Sequence, residues 1–370
     1  MNAQAPVLIM AGGTGGHVFP ALAVAERLQV HDMPVVWMGT PHGLEAQLIP
    51  PTGIPMEFIG VSGLRGTGWK RLLAAPLMLS RALRQAAAVL LRVKPCLALG
   101  MGGFASGPGG LMARCLGIPL VVHEQNALAG FTNRCLSRIA KPVLEAFPNS
   151  FPAARQALCV GNPVRTSIAD LPKPTQRFTE RCGPARLLVL GGSQGAWQLN
   201  QWVPEALAAM PAAQRPTVWH QTGGKWHAAT VQLYNKAAIA ARAVPFIQDM
   251  AEAYGWADLV LCRAGALTVA ELATAGVGSI LVPFPHAVGD HQTANARFLE
   301  QAGAALLRQQ ADLTPAQLTA LLGELLNDRS RLLAMANAAQ RLARPDAAER
   351  IATLCLDRIS AQEVSRAKSC

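Results

Sequence analysis

The sequence predicts an α/β fold of two Rossmann-like domains, each built on a parallel sheet, with the two sheets facing a cleft. Three observations support this prediction. The chain has 370 residues, which is about twice the usual length of one domain. A short apolar strand, a glycine loop and a helix open the chain at Val7, and the same unit recurs at Leu187. Short apolar runs then alternate with amphipathic stretches in both halves, as in doubly wound parallel sheets.

The expected strands are short and apolar. In the first half we expect them at 7–11, 35–38, 96–99 and 120–122, and in the second half at 187–190, 218–220, 259–262 and 279–282. A proline-rich stretch at 161–174 is typical of a linker and places the boundary near residue 164. The predicted domains are therefore 1–164 and 165–345, followed at 346–370 by a helix that we expect to pack back on the first domain, plus a tail.

Composition excludes several classes of protein. Hydrophobic residues at 51% and charged residues at 15% indicate a well-buried globular chain. The N-terminus lacks the basic residues of a secretory signal, and arginines interrupt the most apolar regions, so neither export nor a membrane span is expected. The eight cysteines contain no Cys-x-x-Cys pair, which argues against a zinc site or a disulfide framework. We expect no metal and no cofactor.

The net charge of +11 is distributed unevenly. Between Glu57 and Glu124 there is no acidic residue, and the cations of this stretch are Arg65, Lys70, Arg71, Arg81, Arg84, Arg92, Lys94 and Arg114. Because they are mixed with leucines and Trp69, they favour an anionic membrane or an anionic lipid over nucleic acid. A basic face exposed only to solvent is the alternative. The predicted membrane patch is Lys70, Arg71, Leu77, Leu79, Arg81 and Arg84.

Glycine loops between a buried strand and a helix point backbone N–H groups at an anion, usually a phosphate. Both halves contain one, at 12–16 and at 191–195. The dinucleotide fingerprint is not met, because a third glycine and an acid after the second strand are missing, so NAD is not expected. A purely structural tight turn is the alternative.

A third glycine cluster, at 100–110, follows the strand that ends at Leu99. It lies at the same predicted sheet edge as the first loop, so Gly13, Gly102 and Gly103 could hold one diphosphate between them. The run His123-Glu124-Gln125-Asn126 ends the next strand and would place polar groups in the same crevice.

In the second half, a helix that begins at Ala266 follows a buried strand, and its N-terminus would stabilise a nucleotide diphosphate. Glu271, within the first two turns, could accept hydrogen bonds from ribose hydroxyls. Its alternative role is charge complementarity at the helix start. The amides of Gln292 and Asn295 follow the next strand, where sugar hydroxyls could be recognised.

The motifs of both halves together resemble the MurG family of N-acetylglucosaminyltransferases, over nearly the whole chain and in order. They are Gly12-Gly13-Thr14-Gly15-Gly16-His17, Ser62-Gly63-Leu64-Arg65-Gly66, Gly100-Met101-Gly102-Gly103, His123-Glu124-Gln125-Asn126, Gly161-Asn162-Pro163-Val164-Arg165, Gly191-Gly192-Ser193-Gln194-Gly195 and Asp290-His291-Gln292 to Asn295.

The resemblance implies a GT-B fold and an inverting hexosyltransferase. Such an enzyme moves N-acetylglucosamine from UDP-GlcNAc to the MurNAc 4-hydroxyl of undecaprenyl-diphospho-MurNAc-pentapeptide (lipid I), and so forms lipid II for peptidoglycan. It also implies a peripheral position on the cytoplasmic face of the bacterial inner membrane. Other proteins of cell-wall synthesis and cell division are candidate partners. The first domain would bind the acceptor and the membrane, and the second would bind the donor.

By position, the resemblance places the UDP-GlcNAc contacts at Thr14, Gly15, Gly16, Asn126, Arg165, Ser193, Ile247, Ala266, Leu267, Thr268, Val269, Ala270, Glu271 and Gln292. It implies that the Ile247 main chain contacts the uracil, Ser193 a phosphate and Gln292 the sugar. Two positions depart from the family pattern: Phe104 stands where a tyrosine is expected in some relatives, and Ala270 where a serine can occur.

An inverting transfer needs one base on the acceptor hydroxyl, unlike the carboxylate pair of a glycosidase. His17 is the candidate, since it follows a phosphate loop and imidazole titrates near neutral pH. Glu124 is the second candidate base, and positioning of the acceptor is the alternative role of His17. Arg165 or Arg263 and the start of the second-half helix would stabilise the departing UDP. Competing functions are an epimerase or glycolipid transferase of GT-B fold, and a non-catalytic envelope scaffold.

Overall fold

The computed structural model describes residues 4–61, 69–179, 181–192 and 194–367, without the side chains of 69–75, 288, 363 and 365–367. The chain divides into two compact units. Unit 1 comprises Met1–Val164 and Asp346–Cys370, and unit 2 comprises Arg165–Pro345.

Unit 1 contains a parallel sheet of seven described strands in the order β3-β2-β1-β4-β5-β6-β7. The strands are β1 (Val7–Met10), β2 (Val35–Gly39), β3 (Met56–Phe58), β4 (Leu97–Gly100), β5 (Leu120–Glu124), β6 (Val143–Glu145) and β7 (Leu158–Cys159). The helices of unit 1 are α1 (Gly15–Val30), α2 (Glu45–Leu48), α3 (Trp69–Val93), α4 (Ser106–Cys115), α5 (Phe131–Leu136) and, near the C-terminus, α15 (Ala347–Ala367).

Successive residues of β1 face the two sides of the sheet, since side chains alternate along a strand. Val7 and Ile9 pack in a core formed with α1 and α15, and Leu8 and Met10 pack in a second core that includes Leu90 of α3. Helix α15 therefore completes one face of unit 1, although it is distant in sequence.

Unit 2 repeats this architecture with six described parallel strands, in the order β10-β9-β8-β11-β12-β13. They are β8 (Arg186–Leu190), β9 (Thr217–Gln221), β10 (Ala241–Val244), β11 (Leu259–Cys262), β12 (Gly278–Leu281) and β13 (Ala305–Leu307). The helices of unit 2 are α6 (Thr166–Ala169), α7 (Pro174–Thr179), α8 (Trp197–Ala208), α9 (His227–Lys236), α10 (Met250–Trp256), α11 (Ala266–Ala275), α12 (His291–Glu300), α13 (Pro315–Leu326) and α14 (Arg329–Arg341). Short 3-10 helices lie at Pro50–Thr52, Ala153–Arg155, Ala212–Gln214, Gly224–Trp226, Val288–Asp290 and Gln310–Asp312.

The strand order confirms the prediction of two doubly wound α/β sheets. In each sheet the order reverses between two adjacent central strands, β1 and β4 in unit 1 and β8 and β11 in unit 2. Ligands of such sheets bind at this switch point, beyond the carboxyl ends of the strands. All of the glycine loops singled out from the sequence follow one of these four strands.

Candidate functional site

The first glycine loop connects β1 to α1, and Thr14 lies at the N-cap of the helix with extended backbone angles. Its side chain makes no capping hydrogen bond. The N–H groups of Gly15 and Gly16, in the first turn, have no partner within the helix, as at every helix start. This end of α1 therefore presents N–H donors and the positive end of the helix dipole.

A buried carboxylate that the sequence did not single out supports this loop from behind. Glu45 Oε2 accepts a hydrogen bond from Gly13 N–H at 2.9 Å, and Oε1 accepts from the N–H and hydroxyl of Thr40, each at 2.8 Å. Side chains at Gly12, Gly39 or Gly43 would overlap this carboxylate. Because the Gly13 N–H is bound to Glu45, any anion at this loop would have to be contacted by its other N–H groups.

The third glycine cluster lies directly against the first, as expected from the pairing of β1 with β4. Gly102 and Gly103 both have positive φ, at 94° and 82°. A side chain at Gly103 would collide with the main chain of Gly12, and one at Gly102 would collide with the His17 ring. Only glycine combines these backbone angles with such close approach. The structure thus brings Gly13, Gly102, Gly103 and His17 together.

A chain of hydrogen bonds extends behind His17. Its Nδ1 lies 3.0 Å from Gln125 Oε1, Gln125 Nε2 lies 3.1 Å from His123 Nδ1, and His123 Nε2 lies 2.9 Å from the Gly161 carbonyl oxygen. His123 is fully buried, and burial lowers its pKa to about 4, mainly because the charged ring would lose its hydration. At neutral pH the His123 ring is therefore uncharged.

Glu124, the second candidate base, is bound on all sides. It is 1% exposed. Oε1 accepts from the N–H and the side-chain amide of Asn126, at 2.9 and 3.1 Å, while Oε2 accepts from Gly130 N–H and the Asn133 amide, at 3.1 and 2.9 Å. These four hydrogen bonds fix the loop after β5, and Asn126 in that loop is half-buried.

In unit 2 the corresponding feature is the start of α11. Gly265 is its N-cap, and the N–H groups of Ala266, Leu267 and Thr268 precede the first N–H that bonds within the helix, which is that of Val269. The side chains of Leu267, Thr268 and Ala270 are half-buried, while those of Ala266 and Val269 pack inward. This helix start can receive a phosphate through its backbone.

Glu271 lies one turn further along α11 and is 5% exposed. Its Oε1 accepts from Arg165 Nη2 at 3.0 Å, and its Oε2 accepts from Tyr254 Oη at 3.0 Å. Burial raises the pKa of Glu271, opposed by the Arg165 charge and by both hydrogen bonds. A ribose hydroxyl that reached this carboxylate would use the remaining lone pairs of oxygens already held in place.

The neighbouring loops of unit 2 are fixed by glutamines. Gln221 accepts from Ile247 N–H at 3.2 Å and donates to the Gly192 carbonyl at 3.0 Å, so it joins two loops that the sequence predicts to bind the donor. The Ile247 carbonyl oxygen accepts no bond among the described residues and could receive the uracil imide. Gln292 Oε1 accepts from Phe284 N–H at 2.8 Å.

Arg263 is used structurally. Its Nη1 donates to the carbonyl oxygens of Val282 and Pro283, both at 3.1 Å, and its Nη2 donates to Gln310 at 2.6 Å. Burial lowers its pKa to about 10, so it remains charged at neutral pH. Arg165 is the other arginine predicted to stabilise the departing UDP. It forms an ion pair with Glu271.

The predicted donor contacts divide between the units. Thr14, Gly15, Gly16 and Asn126 belong to unit 1, whereas Arg165, Ile247, the 266–271 stretch and Gln292 belong to unit 2. Ser193, the motif at 62–66 and the side chains of Lys70 and Arg71 lie outside the described residues.

Sequence reasoning missed three side chains, Glu45, Gln221 and Tyr254. The two glycines shortly before Glu45, at 39 and 43, are the signal that could have revealed the first, since they leave room for a carboxylate.

Comparison with known proteins identifies the family. Residues 7–145 match the glycosyltransferase family 28 N-terminal domain, and residues 186–351 match the family 28 C-terminal domain. A UDP-N-acetylglucosamine--N-acetylmuramyl-(pentapeptide) pyrophosphoryl-undecaprenol N-acetylglucosamine transferase of Nitrosococcus oceani is 55% identical over 351 residues, which are 95% of this chain and 98% of that protein. A protein of the same name from Marinobacter nauticus is 55% identical over 350 residues, covering 95% and 96%.

A solved structure agrees with these relatives. The crystal structure of Acinetobacter baumannii MurG superposes with a TM-score of 0.85 at 44% identity, and the match covers 96% of this chain and all of that one. The predicted GT-B class and the predicted family are therefore confirmed. The chain belongs to glycosyltransferase family 28, among the MurG N-acetylglucosaminyltransferases.

Proposed function

We propose that this chain transfers N-acetylglucosamine from UDP-GlcNAc to the MurNAc 4-hydroxyl of undecaprenyl-diphospho-MurNAc-pentapeptide, lipid I, and so forms lipid II. The observation that carries this proposal is 55% identity over nearly the full length of transferases so named. The phosphate-binding geometry at both sheet switch points supports it.

Unit 2 binds the donor in this proposal. The start of α11 receives the diphosphate through its free N–H groups, Glu271 binds the ribose, and the Ile247 carbonyl contacts the uracil. Gln292 contacts the sugar, and its amide nitrogen makes no hydrogen bond among the described residues. Arg165 and the α11 dipole stabilise the charge that develops on the leaving UDP, so this proposal implies no obligatory metal.

Unit 1 binds the acceptor. The paired glycine loops at Gly13, Gly102 and Gly103 lie where the diphosphate of lipid I would sit, beside His17. In the transfer, the acceptor oxygen attacks C1 of the donor sugar, His17 Nε2 takes the hydroxyl proton, and UDP leaves with the bonding electron pair. His17 is favoured over Glu124 as the base for two reasons. His17 is half-buried and its Nδ1 is hydrogen-bonded to Gln125, which leaves Nε2 for the acceptor. Both carboxylate oxygens of Glu124 already accept hydrogen bonds, from Asn126 and from Asn133.

A membrane contact is proposed for α3, because the acceptor is lipid-linked. Ala82, Ala86, Val89 and Leu90 form its buried stripe. Leu77 and Leu79, in contrast, are 70% and 52% exposed, and Arg81 and Arg84 are exposed beside them. Exposed leucines among cations are typical of peripheral contacts with anionic bilayers. Among the described residues, no helix has the length and hydropathy needed to cross a membrane.

A cavity of unit 1 that is lined by cations also supports contact with an anionic membrane. Arg114, Arg138, Lys141 and Arg358 line a cavity of about 500 Å³, and no carboxylate is among its described lining residues. We propose that unit 1 contacts the cytoplasmic face of the inner membrane through α3 and these cations.

The experiment that tests this function measures UDP release from UDP-GlcNAc with and without lipid I. Release that requires lipid I, together with labelled lipid II as product, is the expected result. An epimerase would convert UDP-GlcNAc without any lipid, and a scaffold would release no UDP under either condition.

A further inference from the structure

The hydrogen bonds behind His17 form an unbroken path from a main-chain carbonyl to the proposed base. The path runs from the Gly161 carbonyl to His123, then to Gln125, and ends at His17 Nδ1, with donor–acceptor distances of 2.9, 3.1 and 3.0 Å. Each of the two histidines and the amide could in principle be oriented in two ways. The Gly161 carbonyl, at the start of the path, permits only one arrangement of the three side chains.

The carbonyl oxygen of Gly161 can only accept a hydrogen bond. His123 Nε2 must therefore carry a proton in order to bond to it at 2.9 Å. Because His123 is buried with its pKa lowered to about 4, its ring is neutral at pH 7 and carries a single N–H. His123 Nδ1 is then a bare acceptor.

A bare nitrogen at Nδ1 requires a donor from Gln125. The Gln125 amide nitrogen meets this requirement at 3.1 Å. The same nitrogen lies 3.3 Å from the His123 carbonyl oxygen, which also accepts from the Asn133 side-chain amide at 3.2 Å. These two acceptors fix the amide with its Nε2 toward His123 and its Oε1 toward His17. The amide orientation thus follows from its partners.

An amide oxygen, in turn, can only accept. His17 Nδ1 must therefore be the protonated nitrogen when the ring is neutral, and His17 Nε2 is left with its lone pair free. No described residue forms a hydrogen bond with His17 Nε2. This is the tautomer in which Nε2 can take a proton from an acceptor hydroxyl.

We infer that Gln125 and His123 are positioning residues that hold His17 in its Nδ1–H tautomer and so keep Nε2 ready to act as the base. The inference rests on the proposed function for its catalytic meaning. Its structural content, the tautomer, can be measured independently of turnover.

The direct test is nitrogen NMR of the full chain labelled with ¹⁵N-histidine at neutral pH. Long-range proton–nitrogen correlations distinguish a protonated ring nitrogen from a bare one. Signals are assigned by their loss in His17→Ala and His123→Gln. We expect His17 protonated at Nδ1 and His123 protonated at Nε2. If wild-type His17 is protonated at Nε2 instead, the inference is overturned without any need for a variant that folds.

Two substitutions at Gln125 separate positioning from packing. Gln125→Met has a similar shape but no hydrogen bond, so His17 should lose its single tautomer and kcat should fall on the order of 10-fold, with the KM for UDP-GlcNAc unchanged. Gln125→Glu keeps an acceptor toward His17 and should retain the Nδ1–H signal. Gln85→Met is the matched control, since Gln85 accepts from Gly60 N–H at 2.7 Å elsewhere in unit 1.

The outcomes also separate this inference from the proposed function. An unchanged His17 tautomer and unchanged kcat in Gln125→Met would refute the positioning role, even if His17→Ala is inactive. Conversely, if His17→Ala keeps its turnover while the wild-type spectrum shows the Nδ1–H form, the proposed base is wrong but the hydrogen-bond path stands.

Discussion

His17 and Glu271 are the two side chains to which the proposed chemistry assigns distinct steps, proton removal and donor binding. His17 is half-buried between two glycine loops, and Glu271 is buried against Arg165 and Tyr254. Their substitutions should therefore have different kinetic signatures.

Replacing His17 tests the base. His17→Ala should lower kcat about 100-fold or more, which is the usual contribution of a general base, and should leave the KM for UDP-GlcNAc nearly unchanged. Steady-state kinetics with lipid I provides the measurement, and His42→Ala, at an exposed histidine of the same unit, is the control. Turnover within a few-fold of wild type would remove His17 from this role, and a lowered melting temperature would point to a structural one.

Replacing Glu271 tests the donor site. Glu271→Ala should raise the KM for UDP-GlcNAc about 10-fold or more, because hydrogen bonds to a carboxylate contribute about 1.5–3 kcal/mol. The KM for lipid I should stay the same. Glu252→Ala removes an exposed carboxylate of unit 2, 3.5 Å from Arg242, and serves as the control. An equal rise in both KM values would contradict a donor-specific role.

A candidate functional side chain can be predicted from the sequence when it lies next to a recognisable loop or strand end. His17 follows the first glycine loop, and Glu271 lies in the helix that begins at a strand end, so each could be singled out locally. Tyr254 and Gln221 could not, because each contributes through a partner distant in sequence, Glu271 or Gly192, and such pairs exist only after folding.

Among the elements, α3 carries a testable surface. Replacing Lys70, Arg71, Arg81 and Arg84 with glutamine should reduce binding to anionic vesicles in a salt-sensitive way, since each cation near an anionic leaflet contributes about 1 kcal/mol. Affinity for UDP-GlcNAc should not change, because the proposed donor carboxylate lies in unit 2. Co-sedimentation with vesicles provides the measurement.

The control for this variant removes the same charge elsewhere. Lys173, Lys236, Arg242 and Arg344 are exposed in unit 2, and their replacement by glutamine should leave vesicle binding nearly intact. If the α3 variant sediments as well as the parent, or if both variants lose binding equally, α3 is not the membrane contact.

The strands show which elements a sequence reveals. All eight predicted strands are present within one or two residues of their expected ends, because each is a run of buried apolar side chains. The strands not predicted include β3, β7 and β10, which lie at the sheet edges with half-buried or exposed side chains. Because these strands are only partly buried, their sequences contain no run of apolar residues that would predict a strand. They form by pairing with a neighbouring strand.

For the whole molecule, buried histidines predict sensitivity to mild acid. The pKa of His123 in unit 1 is lowered to about 4 and that of His220 in unit 2 to about 3, in both cases mainly by burial. Below pH 6.5 the unfolded chain binds protons that the folded chain excludes, so the stability present above pH 6.5 is lost as the pH falls. Between pH 6.5 and 5 each histidine should lower the free energy of unfolding by about 1.6 kcal/mol, since half of the unfolded chains already carry the proton at pH 6.5.

Calorimetry at several pH values can measure this effect in each unit, since a chain of two units need not unfold in one step. His220→Gln should flatten the pH dependence of one transition only. His42→Gln should change neither, because His42 is exposed. Melting temperatures that stay constant from pH 6.5 to 5 would contradict the prediction.

The carboxylate of Glu45 makes three positions of the chain interdependent. Gly12 is distant in sequence from Gly39 and Gly43, yet a methyl group on any of the three would displace the Glu45 side chain and release Gly13 and Thr40 together. Substitutions at these glycines should therefore share one phenotype and not add up. Gly12 of the first glycine loop is therefore required to make room for the Glu45 side chain behind the loop, in addition to any close approach of a ligand in front of it.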